Sequence, residues 1–219
     1  MNIEITFINQ SYDENNSAIV IFQKNTALNL GESPKVKTFH PDENTVAWKV
    51  LPNHGRDWTC TFNFPSEIYL AAQDSFGNKT PQEHVTHNQQ WNIVQNENGL
   101  AIELDAQQPN HLEQIEVNNA LESGSVHAQI YRDGKLLAVK PGIGAGHKVL
   151  FGFTPTIWIG IAAGIAEGEI IPANILNTIH TEIALTGMRK AKLIMRGGGT
   201  GASAAPYEFF IEPVGDFFL

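Results

Sequence analysis

The sequence predicts an all-β fold, a single-domain antiparallel β-sandwich over residues 1–219. Three observations carry the prediction. Apolar and polar residues alternate in short runs from end to end, turn-forming residues separate the runs, and the apolar fraction of 42% is enough to build a core. Sandwiches and barrels of this length commonly form one domain.

The first predicted strand is 3–8, followed by 18–23 and 46–51. The clearest alternation is Trp58-Thr59-Cys60-Thr61-Phe62-Asn63-Phe64. Successive side chains of a strand point to opposite faces, so Trp58, Cys60, Phe62 and Phe64 share one face, and Cys60 is expected in a core. Further strands are predicted at 68–72, 90–94, 100–104, 114–117, 126–131, 135–139, 149–153 and 207–214. Turn chemistry lies between them, in Asp13-Glu14-Asn15-Asn16, Pro52-Asn53-His54-Gly55 and Phe76-Gly77-Asn78. Asp133-Gly134 and Asn98-Gly99 each predict a tight hairpin, because both central residues of a type I′ turn need positive φ.

Residues 172–185 support two readings. Pro172 at a first helical position, Ile175, Ile179 and Ile183 at four-residue spacing and Gly187 beyond them fit a short helix. The alternating, β-branched run 179–185 fits a strand. The uncharged run 149–166 is interrupted by Gly152, Pro155, Gly160 and Gly164 and reads as buried strands, not as a membrane span.

Composition excludes several function classes. Charged residues make up only 17%, and the formal net charge is −9 with a pI near 5.3. That balance opposes binding to nucleic acid, whose affinity rests on Lys and Arg neutralising phosphates. A weakly charged surface favours packing against another copy, so a homo-oligomer is expected. Cys60 is the only cysteine, which rules out an intramolecular disulfide and a cysteine-rich zinc site. The opening Met1-Asn2-Ile3-Glu4-Ile5 has no signal-peptide pattern, so cytoplasmic synthesis is expected, with any release by a non-classical route.

No motif assembles a catalytic or cofactor site, and the expectation is a non-enzyme without cofactor or metal. Pro141-Gly142-Ile143-Gly144-Ala145-Gly146-His147-Lys148 lacks the phosphate-loop spacing and reads as an inter-strand loop. Arg196-Gly197-Gly198-Gly199-Thr200-Gly201 leads through Pro206 into a strand, not into the helix of a dinucleotide fold. It reads as a hairpin loop, or as bare backbone that packs on a neighbouring subunit or ligand. His84 and His87 read as surface histidines in a loop. Glu167 and Glu169 would share one side of a strand, the elementary placement for paired carboxylates, and read as a solvated strand end.

The segments Ile130-Tyr131-Arg132-Asp133-Gly134-Lys135-Leu136-Leu137-Ala138-Val139, Phe153-Thr154-Pro155-Thr156-Ile157-Trp158-Ile159-Gly160 and Gly197-Gly198-Gly199-Thr200-Gly201 resemble an uncharacterised family of small bacterial all-β proteins. So do Val20-Ile21-Phe22-Gln23-Lys24-Asn25 and Val46-Ala47-Trp48-Lys49-Val50. The resemblance implies a single all-β domain. It implies no site, because no activity is established for the family.

The apolar residues Phe217, Phe218 and Leu219 are therefore the leading candidates for self-association, with Gly197, Gly198 and Gly199 shaping the contact surface. They dock on the chain's own sandwich or in a neighbouring copy, and in the second case a ring or filament follows. The alternative is a lectin-like module that binds a glycan or protein ligand through Trp48 and Trp91. A membrane-active β protein is the weaker third, because the consecutive apolar residues at 157–159 suit a buried strand better than a pore wall.

Overall fold

A computed structural model describes residues 2–13, 17–27, 44–52, 55–107 and 113–215. In chain order the strands are β1 Asn2–Asn9, β2 Ile19–Phe22, β3 Lys49–Leu51, β4 Thr59–Pro65, β5 Ile68–Asp74, β6 Glu83–Val85, β7 Gln89–Asn96 and β8 Gly99–Leu104. They continue with β9 Ile115–Asn119, β10 Ser125–Arg132, β11 Lys135–Gly144, β12 Lys148–Phe151, β13 Thr156–Ile161, β14 Thr181–Ala184, β15 Lys190–Gly198 and β16 Ala205–Pro213. The one α-helix among the described residues, α1, is a single turn over Ala173–Leu176. The fold is all-β, as the alternation predicts.

Among the described residues the strands form four four-stranded sheets, and the chain falls into two compact units. The first unit gathers Met1–Gln23, Ala47–Ser66 and Pro155–Leu219, and the second gathers Lys24–Val46 and Glu67–Thr154.

The first unit holds the sheets β16-β15-β1-β4 and β14-β13-β2-β3. In the former, Ile3, Ile5 and Phe7 of β1 point inward with Phe62 and Phe64 of β4 and Leu193 and Met195 of β15. Glu4, Thr6 and Ile8 take the other face. Trp48, fully buried just before β3, packs edge-on against Phe62 and Phe64 with ring centroids 6.4 and 5.5 Å away. All four residues of β2 are buried, so both faces of its sheet are covered. On one face Val20 and Phe22 meet Ala47, Ala162, Ile171, Leu176 and Ile179. Glycine at 160 permits this, because a Cβ there would stand 2.6 Å from Ile179 Cγ1. Residues 172–185 contain both expected elements in succession, α1 starting just after Pro172 and β14 following it.

The second unit holds β11-β10-β5-β6 and β12-β9-β7-β8. Its core includes Leu70, Ile93, Ile115, Val117, Ile130, Leu137 and Phe151. Buried Asn119 ties three segments together, donating to Ile143 O and Gly124 O and accepting from Leu121 N–H.

Several expectations need correction. Two strand pairs, β1 with β15 and β7 with β9, are parallel. Their members lie far apart in sequence, so no hairpin imposes antiparallel order. Asp133 and Gly134 have φ of 53° and 69° and make the expected type I′ turn between Arg132 and Lys135. At the other hairpin the two loop residues are Glu97 and Asn98, and only Gly99, with φ of 111°, is left-handed. The glycine there follows the turn instead of forming its centre.

Pro141–Gly144 is not loop but the far end of β11, and the turn is confined to residues 145–146. His84 lies in strand β6, not in a loop. Glu167 and Glu169 flank a turn at Gly168, φ 83°, and do not lie on a strand. Each carboxylate accepts a main-chain N–H, Glu167 from Val50 at 3.2 Å and Glu169 from Ala166 at 2.9 Å. Cys60 shares the inner face as expected but is only half-buried, because β4 is an edge strand.

Candidate functional site

No three His, Cys, Asp or Glu side chains gather into a metal-holding group among the described residues. His84 packs its ring against Tyr69, with centroids 5.5 Å apart. His87 is held below the usual histidine value by burial first and by the nearby Arg132 charge second, against a smaller pull from Glu113. Burial also pushes the Arg132 guanidinium down to about 10, which leaves it charged at neutral pH. Trp48 is fully buried and Trp91 is 7% exposed, so neither ring offers a face on which a sugar could stack. Phe217, Phe218 and Leu219 lie outside the described residues.

The remaining candidates converge on one place, the strand β16 and the glycine turn that leads into it. Sheet order puts β16 at an edge, with β15 as its strand neighbour. Among the edge strands it stands out by length. β3 and β6 have three residues, β12 and β14 four, and β8 six, whereas β16 has nine. Short edges protect a sheet from pairing with another chain; a long one invites it. β11 is longer, at ten residues, but its pairing with β10 is broken by two register shifts. β4 has seven residues and turns Thr59, Thr61 and Asn63 to solvent.

Burial falls abruptly from β15 to β16. Leu193 and Met195 are fully buried, yet Phe209 and Ile211, opposite Met195 and Leu193 on the same face, are only half-buried. No residue of β16 is buried. On the outer face Phe210 is 41% exposed, and Val214 just beyond the strand is 45% exposed.

The direction of the backbone groups follows from the register. Val214 N–H donates to Lys190 O at 2.8 Å, and Ala191 pairs with Pro213. Hydrogen-bonding direction alternates along an antiparallel strand, so Glu208, Phe210 and Glu212 point their backbone groups at β15. Phe209, Ile211 and Pro213 point theirs out of the sheet. Pro213 thus sits where its missing N–H costs no ladder bond. The regular stretch begins at Glu208, because a register shift lies between the Arg196 and Gly198 pairs.

The glycine turn is shaped by the chain's own packing. Gly197 and Gly198 have φ of 94° and 78°. A Cβ on Gly197 would overlap the Pro206 carbonyl, and one on Gly198 would stand 2.7 Å from the Tyr207 ring. Tyr12 clamps the turn by donating to Gly197 O and accepting from Gly199 N–H. Beneath it, Tyr207 donates to Asp13, whose carboxylate also accepts from Ser17 N–H and Oγ. The bare backbone at Gly197 and Gly198 is therefore filled from within. Beside the turn Arg56 stacks on Tyr12 at 4.2 Å and Arg196 on Phe210 at 5.4 Å. Both are anchored on Gln10, Arg56 through its main-chain oxygen and Arg196 through its side-chain oxygen. Neither guanidinium pairs with a carboxylate among the described residues.

Compared with protein-family models, with curated proteins and with solved structures, the chain matches none.

Two carboxylates of the second unit have a solution signature of their own. Asp74 is held below its ordinary value of 3.8, first by the Asn78 side-chain donor, against opposing desolvation and with help from main-chain donors of the same turn. Asp105 is lowered first by Gln107 N–H, then by Asn92, again against desolvation, with Gln90 contributing least. A depressed folded-state value stabilises the fold above the ordinary aspartate range and ceases to do so as pH falls through the folded value. Asp74→Asn and Asp105→Asn should therefore be less stable than the parent at neutral pH, with a gap that closes in acid. Urea midpoints from pH 7 to pH 2 check this, and a gap that stays constant would refute it.

Proposed function

We propose that the chain is a non-enzymatic structural or interaction protein that self-associates, and that the open edge of β16 is where copies meet. One observation carries the reading: a nine-residue edge strand with no buried residue lies beside a strand whose inward side chains are fully buried. Adding a strand there would satisfy the outward backbone groups and cover Phe209 and Ile211, which is β-augmentation applied to a second copy. Glu208 and Glu212 mark the strand as a guarded edge, since charged residues on an edge limit indiscriminate pairing.

A lectin-like role through Trp48 and Trp91 has less support, because both rings are spent on the core. Light scattering over a dilution series tests self-association. A mass rising with concentration above the 24.1 kDa of one chain is expected. The mass of one chain at every concentration would overturn the reading.

A further inference from the structure

The edge also specifies how two copies would meet. We infer that β16 pairs antiparallel with β16 of a second copy about a two-fold axis at Ile211; this rests on the edge-pairing reading above. A two-fold pairing requires facing residues to lie on the same side of the sheet, so the axis must pass through a residue.

An axis at Phe210 places Glu208 opposite Glu212 of the other copy twice, and an axis at Glu208 or at Glu212 places that glutamate opposite itself. Like charges directly opposed in a sheet are destabilising. An axis at Phe209 brings Ile211 opposite Tyr207, inside the stretch where the ladder is irregular. An axis at Ile211 uses only the regular stretch 208–214 and uses all of it. Ile211 faces Ile211, Phe210 faces Glu212, Phe209 faces Pro213 and Glu208 faces Val214. The glutamates are separated, and the exposed Phe210 and Val214 and the half-buried Phe209 and Ile211 are all covered.

The outward backbone groups agree with this choice. Ile211 N–H donates to Ile211 O of the other copy and receives the same bond in return. Phe209 N–H donates to Pro213 O, for which the missing proline N–H is no obstacle. The contact is isologous and closes as a dimer.

Nitroxide labels on single cysteines at Glu212→Cys or Glu208→Cys, each in a Cys60→Ser background, test the register by dipolar broadening, with particle mass measured on the same samples. At a rise of roughly 3.4 Å per residue, an axis at Ile211 places the two labels at 212 about 8 Å apart and the two at 208 about 21 Å apart. Strong broadening at 212 and weak broadening at 208 is therefore expected. Equal broadening at the two positions would mean an axis at Phe210, and the reverse order an axis at Phe209. Either would overturn the register and leave edge pairing standing. A dimer without broadening at either position, or a monomer throughout, would overturn both.

Discussion

Ile211→Pro should abolish self-association while leaving the fold in place. The two effects separate because the Ile211 N–H points out of the sheet, as the regular ladder through Val214 and Lys190 requires. A proline there removes no bond to β15, just as Pro213 removes none, and its fixed φ suits an extended strand. Between copies the change removes the two central bonds, one from each chain, and puts a ring where the second backbone must approach. At about 1 kcal/mol net per bond the two lost bonds alone weaken pairing about 30-fold. Steric exclusion adds to that. The Ile211 side chain is only half-buried, so its loss should cost the fold about 1 kcal/mol. Sedimentation velocity read beside a urea melt checks both halves. A dimer as tight as the parent's would place the contact elsewhere.

Gly197→Ala should be among the most damaging single substitutions in the glycine turn, costing about 4 kcal/mol. A left-handed φ of 94° strains any residue with a Cβ, and the new Cβ would overlap the Pro206 main-chain oxygen, which cannot swing aside as a side-chain tip can. Gly201→Ala supplies the control. Gly201 has φ of 65° with nothing within 4 Å of its Cβ position, so only the conformational cost of about 1 kcal/mol applies. A difference of about 3 kcal/mol between two alanines four residues apart would show that the turn's glycines serve internal packing. Equal costs would mean that the Pro206 contact is not made.

How much of this was legible in the sequence follows the range of the interactions involved. Alternation is a local property, so most strands and the Asp133-Gly134 turn could be read from adjacent residues. The parallel pairing of β1 with β15 could not, since Glu4 and Lys190 meet only in the folded chain. Nor could the two units, each assembled from separated segments, because no stretch of sequence holds a whole core. The span 172–185 satisfied helix and strand patterns together because it contains one of each.

The candidate site was half visible. The glycine run and the apolar tail drew attention, but the strand between them read as one strand among many. Its position at an edge depends on which strand ends the sheet, and no local pattern encodes that. A signal was present in Tyr207-Glu208-Phe209-Phe210-Ile211-Glu212-Pro213, where two glutamates and a proline interrupt an aromatic strand, as edge strands require. Trp48 and Trp91 show the same limit from the other side, because an aromatic side chain suits a sugar platform and a core equally well until its burial is known.

The measurement closest to the central claim is residue-resolved amide hydrogen exchange along β16 at low and high protein concentration. Glu208, Phe210 and Glu212 bond to β15 and should exchange slowly at both. Phe209 and Ile211 face outward and should exchange fast in dilute solution, then become protected as concentration rises and a second strand takes their N–H groups. Fast exchange at Phe209 and Ile211 at every concentration would show that the edge stays open to water, and would contradict the account.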